Sequence, residues 1–175
     1  MVHKRDLDRR RIVVIRHAKS SWDDPSLDDH ERPLSKRGRN ALPRLREHID
    51  GLELRPDLVR CSSAVRARET LDGIRSALGA TVRIEVDPAL YGATAEQLAA
   101  ELRRLGDQVI TVFLIGHNPG VGELVALFAE SGKRKAAIDN FPTAAVAVLS
   151  IGGPWSALQP SGASLESFWT PKHQD

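Results

Sequence analysis

The sequence predicts an α/β fold, a three-layer sandwich in which helices cover both faces of a mainly parallel sheet. Two observations lead to this prediction. Short apolar runs rich in β-branched residues, which are typical of buried strands, recur along the chain. Segments with helical spacing of apolar residues separate most of these runs, and this alternation favours a parallel sheet covered on both faces. The length of 175 residues suits a single domain.

The N-terminal part of the chain starts this alternation. The first predicted strand, 11–15, is short, β-branched and bounded by charged residues. A polar loop with several acidic residues follows at 18–34. Ser35 is then a suitable N-cap for a helix that extends to about Ile49, although this helix contains both a glycine and a proline.

The later elements follow the same pattern. Strands are predicted in short β-branched or alternating runs, and helices where apolar residues recur at three- or four-residue spacing. The predicted strands are 57–61, 81–86, 109–115 and 144–151, and the predicted helices are 62–78, 94–105 and 122–130. The segment after 151 is rich in glycine and proline and ends polar, so no element is predicted there.

The composition limits the class of protein. Lys and Arg total 25 against 23 Asp and Glu, and a net charge of +2 does not argue for a nucleic-acid partner. The single cysteine, Cys61, excludes an intramolecular disulfide, and no segment approaches the ~20 apolar residues of a membrane span. The charged N-terminus lacks the apolar stretch of a signal peptide. We therefore expect a cytoplasmic protein without a membrane partner, with residues 1–10 as a mobile tail and 11–175 as one domain.

Conspicuous polar residues follow three of the predicted strands. Arg16 and His17 end the first strand, Arg66 lies just beyond the second, and His117 follows the strand at 109–115. In an open α/β sheet, ligands bind beyond the carboxyl ends of the strands. These four side chains are therefore expected to gather at one edge of the sheet.

Each of these residue types has a use at a phosphate site. An imidazole can attack phosphorus and later act as a leaving group, which makes His17 a candidate nucleophile. Arginine stays charged and binds phosphoryl oxygens in a fork, a role open to Arg16 and Arg66. A second histidine, His117, can donate a hydrogen bond or a proton. The glycine-rich turn at 116–120 leads into a helix, and its backbone amides would add an anion site.

Other interpretations of the motifs are weaker. The remaining histidines show no paired ligand spacing and one cysteine cannot build a thiolate site, so no metal site is predicted. The glycines within 116–122 lack the order of a dinucleotide-binding loop, and Ser62 and Ser63 lack the context of a serine-nucleophile elbow. Taken alone, a histidine at a strand end is more often a surface or internally hydrogen-bonded residue, and Arg66 could be a solvated helix charge. Their convergence at strand ends is what favours a site.

At these positions the sequence resembles the histidine phosphatase superfamily, and specifically its small SixA-type phosphohistidine phosphatase branch. The resemblance covers about residues 11–150. The motifs that carry it are Arg16-His17-Ala18-Lys19-Ser20-Ser21-Trp22, Arg32-Pro33-Leu34-Ser35-Lys36-Arg37-Gly38, Ser62-Ser63-Ala64-Val65-Arg66-Ala67-Arg68-Glu69-Thr70 and Gly116-His117-Asn118-Pro119.

The resemblance implies a phosphoglycerate mutase-like sandwich and a phosphatase that forms a covalent phosphohistidine without a metal or other cofactor. By this resemblance His17 would be the phosphorylated nucleophile. Arg16 and Arg66 would hold the phosphoryl oxygens, and His117 would complete the pocket.

The resemblance also implies three substrate-binding residues around this centre. Arg32 would add a phosphate contact, and Lys19 and Asn118 would lie at the rim of the pocket.

The sequence departs from the larger branches because no proton donor is recognisable after the third strand. The candidate acids are Asp23, Asp24, Glu85, Asp87 and Glu96. Phosphohistidine leaves as imidazole, which can be protonated before departure, whereas an alkyl phosphate leaves as a poor alkoxide and needs an acid. We therefore expect phosphohistidine on a protein as the substrate. The alternatives are a small-molecule phosphomonoesterase and a non-catalytic phosphate-binding module.

Overall fold

The computed structural model describes residues 9–130 and 140–171, and this part of the chain forms six strands and four α-helices. The strands are β1 (Arg10–Arg16), β2 (Leu58–Ser62), β3 (Arg83–Asp87), β4 (Thr111–Gly116), β5 (Val146–Ile151) and β6 (Ser164–Trp169). The helices are α1 (Lys36–Gly51), α2 (Val65–Ile74), α3 (Ala95–Arg103) and α4 (Gly120–Phe128). Each predicted strand and helix is present, with ends shifted by a few residues.

All six strands belong to one sheet, in the order β3-β2-β4-β1-β5-β6. The pairs β3–β2, β2–β4 and β4–β1 are parallel, whereas β5 is antiparallel to both β1 and β6. Only β5 therefore opposes the common direction, which confirms the predicted mainly parallel sheet. In the described ranges, no helix combines the length and apolar character needed to cross a membrane.

Two apolar cores lie on opposite faces of the sheet. Because side chains alternate along a strand, β1 supplies both cores: Ile12 and Val14 pack on the face covered by α3 and α4. Val13 and Ile15 pack on the face covered by α1 and α2. The predicted three-layer sandwich is confirmed.

The first strand begins earlier than predicted, at Arg10 instead of Arg11. Arg10 lies in register with Ile151 of β5, and its Nη1 donates to the Gly153 carbonyl at 2.8 Å. The predicted mobile tail therefore cannot include Arg10. Residues 1–8, which make up most of that predicted tail, lie outside the described residues.

The edge strand β6 was not predicted. It pairs antiparallel with β5, with a register shift between Val148 and Leu149. Leu165 is its only fully buried side chain, and Phe168 and Trp169 are only partly buried against the two cores. A strand that contributes so little to the core has no strong apolar signal in the sequence.

Candidate active site

The ends of β1, β2 and β4 bring the four predicted catalytic residues to one edge of the sheet. Arg16 of β1 lies in register with Gly116 of β4, so that His17 and His117 follow side by side. Their ring centroids are 4.9 Å apart. Arg66, in the first turn of α2, directs its Nε to Nε2 of His17 at 3.3 Å. The predicted convergence of these residues is present.

His17 is a neutral imidazole whose protonated nitrogen can be assigned from its two partners. Nδ1 lies 2.7 Å from the carbonyl oxygen of Ala18, which can only accept, so Nδ1 carries the proton. Nε2 accepts from Arg66, which can only donate, so Nε2 holds a lone pair. Burial, with weaker electrostatic contributions from neighbouring His117 and Arg66, lowers the pKa of His17 to about 3. His17 therefore presents an unprotonated Nε2 to the site.

His117 is held by the end of β2. Its Nε2 lies 2.7 Å from Oγ of Ser62, and this oxygen accepts from the Ala64 amide at 3.3 Å. Its Nδ1 is buried and has no hydrogen-bond partner among the described residues. Burial, followed by repulsion from Arg66, lowers the pKa of His117 to about 4. The free Nδ1 is therefore the polar atom that His117 can offer to a ligand.

Arg16 and Asn118 are both tied to the segment that precedes β5. Nη1 of Arg16 and Nδ2 of Asn118 each donate to the carbonyl of Phe141 at 2.9 Å. Burial and the nearby charge of Arg66 lower the pKa of Arg16. Asn118, predicted at the rim, thus uses its amide nitrogen to support the backbone that holds Arg16.

Two residues that the sequence analysis missed, Asp29 and Tyr91, complete the surroundings of Arg66. Nη2 of Arg66 donates to Oδ2 of Asp29 at 2.9 Å, and Nη1 donates to the Asp29 carbonyl at 2.5 Å. The Tyr91 hydroxyl donates to the same Oδ2 at 2.7 Å, and its ring lies perpendicular to that of His117 at a centroid distance of 5.5 Å. Tyr91 therefore connects the Arg66 side of the site to the His117 side.

The hydrogen bond from Tyr91 and the bonds from Arg66 and Arg32 hold the pKa of Asp29 well below its usual range. The same hydrogen bond raises the pKa of Tyr91, because its proton is shared with a carboxylate. Asp29 lies three residues before Arg32 in the second motif, and this i,i+3 spacing was the only sequence signal for it.

Arg32 reaches the site through Asp29. Its Nη1 donates to Oδ1 of Asp29 at 2.7 Å, its Nε to the Ser21 carbonyl at 2.8 Å and its Nη2 to Oγ of Ser20 at 2.7 Å. Its guanidinium lies 3.2 Å from the ring centroid of Trp22. The nitrogens of Arg32 thus shape the loop between β1 and α1, and its predicted contact with phosphate stays a prediction.

Lys19 joins the first and second motifs through its backbone. Its side chain is exposed, as expected for a rim residue, while its carbonyl accepts from the Ser35 amide at 2.8 Å. A Cβ on Gly38 would collide with that carbonyl oxygen. The glycine that interrupts the predicted helix is therefore required by the close approach of this loop.

Buried Thr70 joins the first and third motifs. Its Oγ1 accepts from the Ala18 amide at 3.0 Å and donates to the Arg66 carbonyl at 2.7 Å. The amide next to His17 and the helix turn that carries Arg66 are thus held by one hydroxyl.

Comparison with known proteins agrees with this geometry. Residues 12–110 match the histidine phosphatase superfamily (branch 1). The chain belongs to this superfamily. An uncharacterized protein of Mycobacterium tuberculosis is 35% identical over 167 residues, which cover 90% of this chain and 100% of the relative. A histidine phosphatase is a hydrolase that acts on phosphate groups, and this chain is one.

Two solved structures extend the likeness to the SixA-type branch. A Nakamurella multipartitia protein whose proposed name is phosphohistidine phosphatase SixA has a TM-score of 0.81 and 27% identity, covering 93% of this chain and 96% of its own. An Agrobacterium tumefaciens protein with the same proposed name has a TM-score of 0.77 and 28% identity, covering 93% and 98%. The phosphoglycerate mutase-like sandwich of these histidine phosphatases is the fold that the resemblance implied.

In this histidine phosphatase, none of the predicted acids has a described hydrogen bond or ion pair to the four predicted catalytic residues. Glu85 and Asp87 belong to the edge strand β3, which β2 separates from β4, and they pair with Arg60 of β2 at 3.4 and 2.7 Å. Asp24 accepts from Ser26 within its own loop. The two remaining candidates are exposed: Asp23 and Glu96. Asp29 is the carboxylate that meets Arg66, and it was not among the candidates.

Proposed function

We propose that this phosphatase removes phosphoryl groups from phosphohistidine on a protein, through a phosphoryl group carried on His17. The observation that carries the proposal is that the Asp29 carboxylate is ionised and hydrogen-bonded to Arg66. Among the described residues it is the carboxylate bonded to the catalytic arginine, and its lowered pKa keeps it ionised and unable to donate a proton. A site without a carboxylic acid suits an imidazole leaving group better than an alkoxide.

In the first step, Nε2 of His17 attacks phosphorus while the P–N bond of the substrate breaks. The substrate imidazole leaves with the electron pair of that bond and takes a proton from solvent. Arg16 and Arg66 supply the charge that balances the phosphoryl oxygens in the transition state. When the Ser62 hydroxyl donates to Nε2 of His117, the ring proton lies on Nδ1. Nδ1 can then donate to a phosphoryl oxygen.

In the second step, a water molecule attacks the phosphoryl group on His17. An O–P bond forms, the P–Nε2 bond breaks, and the electron pair returns to Nε2. The water proton leaves with phosphate or passes to solvent. The hydrogen bond from Nδ1 to the Ala18 carbonyl holds the ring in one orientation through both steps.

Two observations support a protein as the carrier of the phosphohistidine. The two SixA-named structures resemble this chain along more than nine-tenths of its length. Trp22 is 72% exposed although its ring is held in place by Arg32, and a preorganised exposed aromatic is typical of a protein-binding surface. The alternative, a small-molecule phosphomonoesterase, is decided by the substrate panel below.

The test compares wild type, His17→Ala and His48→Ala on a phosphohistidine-containing phosphotransfer domain and on sugar and nucleotide monophosphates. His48 stacks on Trp169 at a centroid distance of 4.4 Å and has no described bond to the site, so its variant is a matched control. We expect turnover of the phosphoprotein by wild type and His48→Ala, with a trapped phosphoenzyme, and no turnover by His17→Ala. Unchanged turnover by His17→Ala would disprove the nucleophile. Much faster turnover of a sugar phosphate would decide for the alternative.

A further inference from the structure

We infer that Asp29 is a positioning residue for Arg66: it holds one edge of the guanidinium so that the other edge faces the phosphoryl group on His17. Tyr91 in turn holds Asp29. The inference rests on the proposed function only in that His17 is taken as the phosphoryl acceptor. It does not depend on which molecule donates the phosphoryl group.

The hydrogen bonds of Arg66 divide between the two edges of its guanidinium. A guanidinium has five N–H donors in a rigid plane, so Nη1 and Nη2 form one edge while Nε and Nη2 form the other. The first edge donates to Asp29: Nη1 to its carbonyl and Nη2 to its Oδ2. Nε, on the second edge, points to Nε2 of His17 at 3.3 Å. A phosphoryl group on that nitrogen would meet Nε–H and the remaining Nη2–H.

Asp29 can hold Arg66 in one position because several hydrogen bonds hold Asp29 itself. Oδ2 accepts from the Tyr91 hydroxyl at 2.7 Å as well as from Arg66. Oδ1 accepts from Arg32 at 2.7 Å, and Arg32 is bonded to the backbone of Ser21. The side chain of Asp29 is half-exposed, so these bonds, and not burial, determine its position.

The charge of Asp29 points to a geometric role. A carboxylate close to a phosphoryl site repels the substrate, and this weakens ground-state binding. Since Asp29 opposes binding but holds Arg66 by two hydrogen bonds, we expect it to assist the reaction by placing Arg66 in the transition state. Loss of Asp29 should therefore lower kcat without weakening the affinity for phosphate, a pattern that general loss of structure would not produce.

The test uses Asp29→Asn, Asp29→Ala and Tyr91→Phe, with Asp107→Asn as the matched control. Asp107 also accepts from an arginine, Arg10, at 2.9 Å, but at the opposite end of β1. For each variant, kcat is measured on the best wild-type substrate, the Kd of inorganic phosphate by calorimetry, and Tm by thermal unfolding. We expect Asp29→Ala and Asp29→Asn to lower kcat at least ~10-fold, with a phosphate Kd that is unchanged or lower. Tyr91→Phe should lower kcat about 2- to 5-fold, and Asp107→Asn should match wild type.

Wild-type kcat in Asp29→Asn would overturn the inference, as would a fall in kcat accompanied by an equal loss of phosphate affinity. If the Asp29 variants fail to fold, Tyr91→Phe decides, because it removes one hydroxyl and keeps the ring; unchanged kcat in that variant then overturns the inference. These outcomes are separate from the test of the nucleophile. An inactive His17→Ala beside a fully active Asp29→Asn would leave the nucleophile standing and remove the role of Asp29.

Discussion

The rings of His17 and His117 lie 4.9 Å apart, and burial lowers the pKa of both, to about 3 and about 4. Two imidazolium cations at this distance would repel each other in a site that already contains two arginines. The site therefore holds a neutral pair of histidines, and its positive charge comes from Arg16 and Arg66. This arrangement keeps Nε2 of His17, the proposed nucleophile, unprotonated at physiological pH.

The depressed pKa of His17 predicts how stability depends on pH. An unfolded histidine titrates near 6.5 and folded His17 near 3, so the unfolded chain binds more protons between these values. The folded state is therefore destabilised as pH falls below 6.5. We expect His17→Asn to lose less unfolding free energy than wild type between about pH 7 and about pH 4.5, by on the order of 2 kcal/mol. Urea unfolding at each pH measures this difference.

His117→Asn should also lose less unfolding free energy than wild type as the pH falls, because burial lowers the pKa of His117 as well. Parallel stability curves for wild type and His17→Asn would show that His17 is not held neutral by the fold.

Trp22 provides a prediction about the substrate. If the substrate is a protein, Trp22→Ala removes a preorganised aromatic contact and should raise the KM for the phosphoprotein about 5-fold or more. The KM for phosphoimidazole, which is too small to reach Trp22, should stay unchanged. Val86→Ala is the matched control, because Val86 is an exposed apolar residue on the outer strand β3. An equal change in both KM values would contradict a role in protein recognition.

Thr70 predicts a stability cost linked to the site. Thr70→Val replaces the hydroxyl by a methyl group of similar size and leaves the buried Ala18 amide without its partner. An unpaired buried amide costs about 1–3 kcal/mol, so the free energy of unfolding should fall by that amount. Thr70→Ser, which keeps the hydroxyl, should retain most of the stability. Equal losses in the two variants, measured by chemical denaturation, would show that the methyl group matters more than the hydrogen bond.

Steric crowding at Gly38 should make Gly38→Ala less stable than wild type. In Gly38→Ala the new Cβ would meet the Lys19 carbonyl, which is backbone and cannot move aside without shifting the loop after His17. We expect a loss of about 1–3 kcal/mol of stability together with a lower kcat. Gly51→Ala at the end of the same helix is the control, since its new Cβ would meet no atom of another described part of the chain within 4 Å. Similar stability of both variants in urea unfolding would argue against the crowding at Gly38.

Much of the fold could be predicted because its signals are local. The buried run of β4 is apolar along most of its length, and the alternation of such runs with amphipathic helices predicts a covered parallel sheet. The site could be placed for the same reason, since the carboxyl ends of neighbouring parallel strands share an edge. The edge strand β6 could not, because only Leu165 is fully buried there and its apolar residues do not alternate regularly with polar ones.

The sequence by itself determined the residue types at the strand ends: a histidine and an arginine after β1, an arginine after β2 and a histidine after β4. The tertiary structure decided their partners. Asp29 and Tyr91 are 62 positions apart and meet only because the loop before α1 and the segment after β3 fold over Arg66. The proton position on His17 likewise depends on Arg66, which is 49 positions away. The spacing of apolar residues predicts which face each segment buries. Hydrogen bonds between distant segments form only once the chain is folded, so that spacing does not predict them.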